Sequence, residues 1–262
     1  MNKQIKLTFY KYQGTGNDFI LIDNRNGFFP KDNAKLIFFL CDRRFGIGAD
    51  GLILLEDDTT SDFKMVYYNS DGNQSTMCGN GGRCIVAFAK KLGMIDSNTV
   101  FNAIDGLHHA TIDNNLVTLQ MIDVDKIHSR EKYFFVNTGS PHHVQLVADL
   151  ENLKVQQEGA KIRYGLYGQE GSNINFVNQL DNKTFDIRTY ERGVEGETLS
   201  CGTGVTAVAL AMHYNNKTDS NKVSIITKGG NLKVSFTSDK GSYTNIKLIG
   251  DATLVFKGEI EC

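Results

Sequence analysis

The sequence predicts an α+β protein of two structurally similar lobes. Each lobe is expected to be a mostly antiparallel curved sheet wrapped around a central helix, with the active site in the cleft between them. Three observations predict this. First, β-type runs dominate, from IKLTFYKYQ and DFILID through VSIITKGG to ATLVFKGEI, with Gly, Asn and Asp between them. Second, only three stretches read as helices. Third, two of those three follow a repeated Cys-Gly-x-Gly, once as Cys78-Gly79-Asn80-Gly81 and once as Cys201-Gly202-Thr203-Gly204. Alanines recur behind both copies, at Ala87 and Ala89 and at Ala209 and Ala211. Two similar sites in one chain imply two similar halves and a function that needs both.

The elements follow in order. DNAKLIFFLCDRR carries an Asp or Asn cap and apolar residues near helical spacing. GGRCIVAFAKKLG ends with Lys90 and Lys91 in its last turn and Gly93 where a C-terminal cap belongs. GVTAVALAMHYNN is small and apolar on most sides, so it is expected to be buried. DNNL and LDNKTF read as hairpin turns. The lobes are expected to divide within residues 124–130, giving an N-terminal lobe over 1–126 and a C-terminal lobe over 127–250. The last strand, about 251–262, is expected to pack back on the first lobe.

With 262 residues the chain has ample length for a core, and its 40% hydrophobic and 22% charged residues are ordinary globular values. A formal net charge of −2 without a basic patch gives no sign of a nucleic-acid partner. Apolar runs such as LIFFL and VTAVALAM are too short to span a bilayer, and the N-terminus lacks the apolar stretch of a signal peptide, so the expected location is cytoplasmic. Five scattered cysteines without C-x2-C spacing argue against a disulfide framework and against a metal site. Two prolines among 26 glycines point to tight turns and close backbone approaches.

A cysteine at the first turn of a helix faces amides without intrahelical acceptors and the positive end of the helix dipole, which favours the thiolate. The glycines behind it let backbone amides approach an anion. Two such sites facing one small carboxylate would place a thiolate and a thiol on opposite sides of its α-carbon. One would remove the α-proton and the other would return a proton to the opposite face, as a coupled pair. The helix ends would stabilise the carboxylate as it becomes enediolate-like. Cys41 and Cys84 lack the following Gly-x-Gly and are expected in the core, where an isolated Cys most often belongs. GNGGRC is not a phosphate-binding loop, because it lacks the Gly-Lys-Ser/Thr ending.

At this point the residues resemble a known family, the diaminopimelate epimerases. The resemblance rests on GTGNDFILID (14–23), CDRRFGIGADGL (41–52), NSDGNQSTMCGNGGRC (69–84), TGSPHHV (138–144), GSNINFV (171–177) and TYERGVEGETLSCGTG (189–204). It implies a pyridoxal-independent enzyme with no cofactor and no metal, usually homodimeric, that interconverts LL- and meso-diaminopimelate for lysine and peptidoglycan synthesis. Position by position, Cys78 and Cys201 match the two acid/base thiols. Gly79, Asn80, Gly202 and Thr203 match the cradle of the reacting carboxylate. Asn17, Asn69, Asn173, Glu191 and Arg192 match residues that hold the substrate, and His142 and Glu191 match residues thought to adjust the protonation of the thiols. Arg192 is the natural partner of the distal carboxylate, since a guanidinium binds both oxygens.

Plainer readings exist for several of these. Asn17 and Asn69 sit in turn-like TGND and NSDG, Glu191-Arg192 would ordinarily be a solvated pair, and strand alternation sends His142 and His143 to opposite faces. The chain also departs from the family's commonest pattern. Ser140 stands where many members have Asn, Gly51 where some have Gln, and ERGVEGET is one residue longer than the short form. These changes surround the distal pocket and bear on fine specificity. The rival readings are a two-thiol racemase of proline or hydroxyproline, an isomerase of the same fold that uses one carboxylate, and a thiol redox sensor. YERG argues against the first and the paired cysteines against the second. A sensor would need no preference for diaminopimelate.

Overall fold

The computed structural model describes residues 6–262. The chain forms two compact units, one of residues up to Leu119 together with Asp251–Cys262, the other of Gln120–Gly250. Both are sheet-rich with buried helices, the α+β class expected. No described helix is long and apolar enough to cross a membrane.

In the first unit β1 (Lys6–Gly14) and β2 (Asn17–Asp23) form an antiparallel hairpin. Its two turn residues, Thr15 and Gly16, both have positive φ (53° and 82°), the requirement of the turn that matches strand twist. α1 (Ala34–Cys41) leads to β3 (Gly51–Glu56), which runs parallel to β2. β4 (Phe63–Asn69) returns antiparallel to β3, and β5 (Gln74–Ser75) folds back on β4. After α2 (Gly79–Lys91), β6 (Asn98–Ala103) lies parallel to β4, and β7 (Gly106–Asp113) and β8 (Leu116–Gln120) extend it antiparallel.

The second unit repeats this order of pairings. β9 (His128–Ser129) pairs with β10 (Phe134–Asn137), and β10 with β11 (Pro141–Leu146), both antiparallel. After α3 (Val155–Tyr167), β12 (Asn173–Gln179) is parallel to β11, β13 (Thr184–Glu191) is antiparallel to β12, and β14 (Gly196–Thr198) folds back on β13. After α4 (Gly202–Tyr214), β15 (Lys222–Thr227) is parallel to β13, and β16 (Gly230–Asp239) and β17 (Ser242–Asp251) follow antiparallel. The parallel pairs fall where a helix carries the chain between strands, as crossover geometry requires. β18 (Thr253–Glu261) pairs antiparallel with β1.

Each unit is built around a 13-residue helix. α2 buries Cys84–Ala89 and packs on β1, β2, β3 and β7, and α4 buries Gly204–Met212 and packs on β10, β11, β12, β15 and β16. Each apolar side chain removed from water contributes about 1.5–3 kcal/mol. That burial matters because both helices start without the usual cap. Their N-cap residues are Cys78 and Cys201, and neither makes a side-chain cap hydrogen bond. Forgoing a Ser or Asp cap costs about 1 kcal/mol per helix, which core packing offsets.

α3 was not among the expected helices. Its sequence VQQEGAKIRYGLY has two glycines and no side-chain cap at Lys154, and it buries only Val155, Gly159 and Arg163. Gly159 is required by packing, because a Cβ there would lie 2.4 Å from Tyr190 Cβ. Tertiary contact with β12, β13 and β14 therefore holds a helix that its own sequence supports weakly.

Candidate active site residues in each unit

In the first unit, Cys78 is half-buried at the start of α2, with its carbonyl accepting from Gly82 N at 2.7 Å. The ladder places Phe19, Gly51 and Asn69 in one row across β2, β3 and β4, and Asn17 lies two residues before Phe19 on the same face. That face packs on α2, since a Cβ at Gly81 would meet Phe19 Cζ at 3.5 Å. Asn17 and Asn69 are thus on the side of the sheet that carries the thiol. Asn17 is the centre of the cluster. Its Oδ1 accepts from Asn80 Nδ2 at 3.2 Å and lies 3.6 Å from Cys78 Sγ, and its Nδ2 donates to Asp50 Oδ2 at 2.6 Å. The turn-like context of Asn17 in sequence thus gives way to a residue whose amide orientation is fixed.

Four residues that sequence reasoning did not single out, Asp18, Arg43, Asp50 and Tyr67, support this cluster. Arg43 donates to both Asp18 oxygens (2.6 and 2.9 Å) and to Asp50 Oδ1 (2.7 Å), so it positions the carboxylate that orients Asn17. Tyr67 covers Gly51: a Cβ on that glycine would lie 2.6 Å from the tyrosine ring and 3.1 Å from its hydroxyl. The side chain absent at Gly51 is therefore replaced in space by a neighbouring phenol. The signal for this was strand parity, since Tyr67 and Asn69 are two apart on β4.

Asp18 yields a prediction. Burial raises its pKa, but Arg43 and Lys11 outweigh burial and hold the carboxyl at about 2. A lowered folded-state pKa gives stability that is present above the unfolded value near pH 4 and lost as pH falls through 2. The contribution is on the order of 2 kcal/mol. Urea midpoints measured from pH 5 down to pH 2 should fall less steeply in Asp18→Asn than in the unsubstituted protein. Equal slopes would refute the assignment.

The remaining thiols of this unit are core groups, as expected. Burial pushes Cys41 and Cys84 up to about 12, so both are neutral. Arg83 is fully buried, and its Nη2 donates to Thr15 Oγ1 at 3.2 Å. Burial lowers its pKa.

In the second unit, Cys201 is buried at the start of α4, with its carbonyl accepting from Val205 N at 2.9 Å and its Sγ 3.4 Å from Thr203 Oγ1. Thr138 Oγ1 donates to the Thr203 carbonyl at 2.9 Å, tying the TGS segment to the helix start. His142 on β11 stands opposite Asn173 on β12, and Asn175 opposite Thr189 on β13; these four share a face. Glu191, two residues past Thr189, lies on it too. The face packs on α4, because a Cβ at Gly204 would meet Asn175 Oδ1 at 2.6 Å.

Asn173 spans its neighbours. It donates to Ser140 Oγ (2.9 Å) and to the Pro141 carbonyl (3.1 Å), and it accepts from Arg192 N (2.9 Å). Ser140 therefore serves as an acceptor for Asn173. Arg192 is exposed, with Nη1 donating to the Glu170 carbonyl at 2.9 Å, so it is an anchored cation. The longer ERGVEGET loop is fastened by Glu195, which accepts from Arg163 Nε and Tyr190 Oη, both at 3.1 Å.

The two histidines separate as alternation requires. His143 lies on the other face with its Nδ1 2.9 Å from Tyr167 Oη, and burial lowers its pKa to about 4. His142 is fully buried; burial, then the nearby Arg192 charge, lowers it to about 3. Both rings are neutral at physiological pH.

The family model of diaminopimelate epimerase matches residues 9–122 and 134–255. A diaminopimelate epimerase of Flavobacterium psychrophilum is 64% identical over 256 residues, covering 97% of this chain and 100% of that protein. One of Hydrogenobaculum is 41% identical over 271 residues, covering 95% and 96%. Among solved structures, a Bacillus anthracis phenazine biosynthesis protein of the PhzF family matches with TM-score 0.77 at 12% identity over 98% of this chain and 99% of that one. A hydroxyproline epimerase of Agrobacterium vitis matches with TM-score 0.69 at 16% identity over 98% and 92%. At such identities the likeness is one of fold, and it agrees with the two-lobed α+β expectation. The sequence matches carry more: the chain belongs to the diaminopimelate epimerase family.

Proposed function

We propose that the chain interconverts LL- and meso-2,6-diaminopimelate, with Cys78 and Cys201 as the two acid/base groups. One thiolate takes the α-proton and becomes a thiol. The electron pair left at the α-carbon delocalises into the carboxylate. The other thiol delivers its proton to the opposite face and becomes the thiolate. The observation that carries this reading is the repetition: in two units of matching strand order, a cysteine stands immediately before a buried 13-residue helix that opens with Gly-x-Gly. The first-turn amides behind each cysteine supply donors suited to a carboxylate gaining enediolate charge. Asn17 and Asn80 in one unit and Thr203 and Thr138 in the other hold these helix starts in place.

The remaining site residues take roles by chemistry. Arg192 suits a carboxylate at the far, non-reacting end of the substrate, and Asn69, Asn173 and Glu191 are further substrate-holding residues. Gly79 and Gly202 open the approach to the reacting carboxylate. The reaction as written needs no cofactor and no metal. The same reading makes the protein a homodimeric, cytoplasmic enzyme that feeds lysine and peptidoglycan synthesis.

The test is incubation with each diastereomer in D2O, with no pyridoxal or metal added. Deuterium should enter the α-carbon as LL- and meso-diaminopimelate interconvert. Reduced, folded protein that neither exchanges nor epimerises diaminopimelate would sink the reading, and proline analogues would be tried next.

A further inference from the structure

The buried polar chain behind His142 belongs to no role assigned above. Asn175 is fully buried on β12, and Thr189 on β13 is nearly so. The Asn175 amide has three fixed neighbours. Its Nδ2 lies 2.9 Å from the His143 carbonyl and 3.1 Å from His142 Nδ1, and its Oδ1 accepts from Thr189 Oγ1 at 3.0 Å. A backbone carbonyl can only accept, so the group facing it must be the NH2. One amide hydrogen goes to that carbonyl. The other points at His142 Nδ1, which must then be the unprotonated nitrogen of a neutral ring. The proton consequently sits on Nε2.

That Nε2 is buried and has no hydrogen-bond partner among the described residues. Buried donors are almost always satisfied, and leaving one unmade costs about 1–3 kcal/mol. An orphaned N–H on the His142 ring therefore reads as a donor kept for an acceptor that arrives from outside. The neighbouring Arg192 charge makes an anion the favoured arrival.

We propose that Asn175 is a positioning residue that fixes His142 in its Nε2–H tautomer, so that the ring presents one hydrogen-bond donor to the anionic reactants. A ring held in this form cannot take a proton at Nε2, so proton transfer is left to the thiols. What the donor serves rests on the diaminopimelate reading; the tautomer itself does not.

The experiment is 15N NMR of histidine-labelled protein near neutral pH, without substrate. His142 should show a protonated Nε2 and an unprotonated Nδ1. In Asn175→Asp the new carboxylate can only accept, so Nδ1 should become protonated, and kcat for epimerisation should fall by about tenfold or more, the effect of losing a hydrogen bond donated to a charged group. KM should change less than kcat. A wild-type ring protonated at Nδ1 overturns the proposal, as does an Asn175→Asp protein with an unchanged tautomer. If that variant does not fold, the wild-type spectrum alone decides. A correct tautomer in a protein inactive on diaminopimelate would refute the functional reading and leave this one standing.

Discussion

Cys78→Ala and Cys201→Ala should each lower interconversion of LL- and meso-diaminopimelate by about a thousandfold, inside the 10²–10⁴ range of a positioned acid or base. The loss should come without unfolding. Neither sulfur caps its helix, so alanine removes no cap hydrogen bond. Cys78 is only half-buried, and truncating the buried Cys201 opens a space of one atom. The expected cost in stability is about 1 kcal/mol or less, at the low end for core truncations. The two variants should also differ from a wholly dead enzyme. Each keeps one thiol, which can remove a proton from the diastereomer presenting its hydrogen on that side and return a deuteron to the same face. Deuterium exchange with retention should therefore survive for one diastereomer in each variant, and for opposite ones. Either variant epimerising within about tenfold of the unsubstituted protein would end the two-base reading, because a role in proton transfer is worth more than that.

The two helix starts that carry the candidate thiols were legible in sequence because their signal was local and doubled. Cys-Gly-x-Gly ahead of a small apolar run marks a helix start whatever surrounds it, and α2 and α4 begin at Gly79 and Gly202. Strand alternation was equally local, and it separated His142 from His143 correctly. What stayed hidden depends on register between strands. In sequence Asn175 is one polar residue within the β-type run NINFV; its pairing with Thr189 and its place beside Val144 bring it to His142. Arg43 and Asp50 are 26 and 33 residues from Asn17, across a crossover whose path no pattern specifies. For Tyr67 over Gly51, parity with Asn69 gives the face, but the pairing of β3 with β4 that brings the two together is not written in either strand. α3 was missed for the converse reason: its glycines weaken the helical signal, and one of them is there for Tyr190.

The third position after each cysteine should respond oppositely to the same substitution, although the motif is the same. Gly81 and Gly204 both lie in the first turn of their helices, where alanine is intrinsically better than glycine by about 1 kcal/mol. At Gly81 a Cβ would meet Ile53 Cδ1 at 3.1 Å, Met65 Cε at 3.4 Å and Phe19 Cζ at 3.5 Å. Two of these are ends of flexible aliphatic side chains, which can give a few tenths of an ångström, so Gly81→Ala should be within about 1 kcal/mol of neutral once propensity offsets the crowding. At Gly204 the Cβ would lie 2.6 Å from Asn175 Oδ1 and 3.4 Å from both Cβ and Sγ of Cys201. The Asn175 amide cannot turn away, because Thr189, the His143 carbonyl and His142 each hold one of its atoms. Either the helix start lifts, carrying Cys201 with it, or the amide moves and releases the His142 ring. Gly204→Ala should therefore cost about 1–3 kcal/mol in urea unfolding, the usual range for overpacking a core. It should also lose about a hundredfold in kcat, since ångström displacements of catalytic groups cost that much. Measuring both variants side by side separates the causes. If helix propensity governs this position, Gly204→Ala will be at least as stable as Gly81→Ala and nearly as active as the unsubstituted protein. If close approach to Asn175 governs it, only the second-unit variant will be impaired.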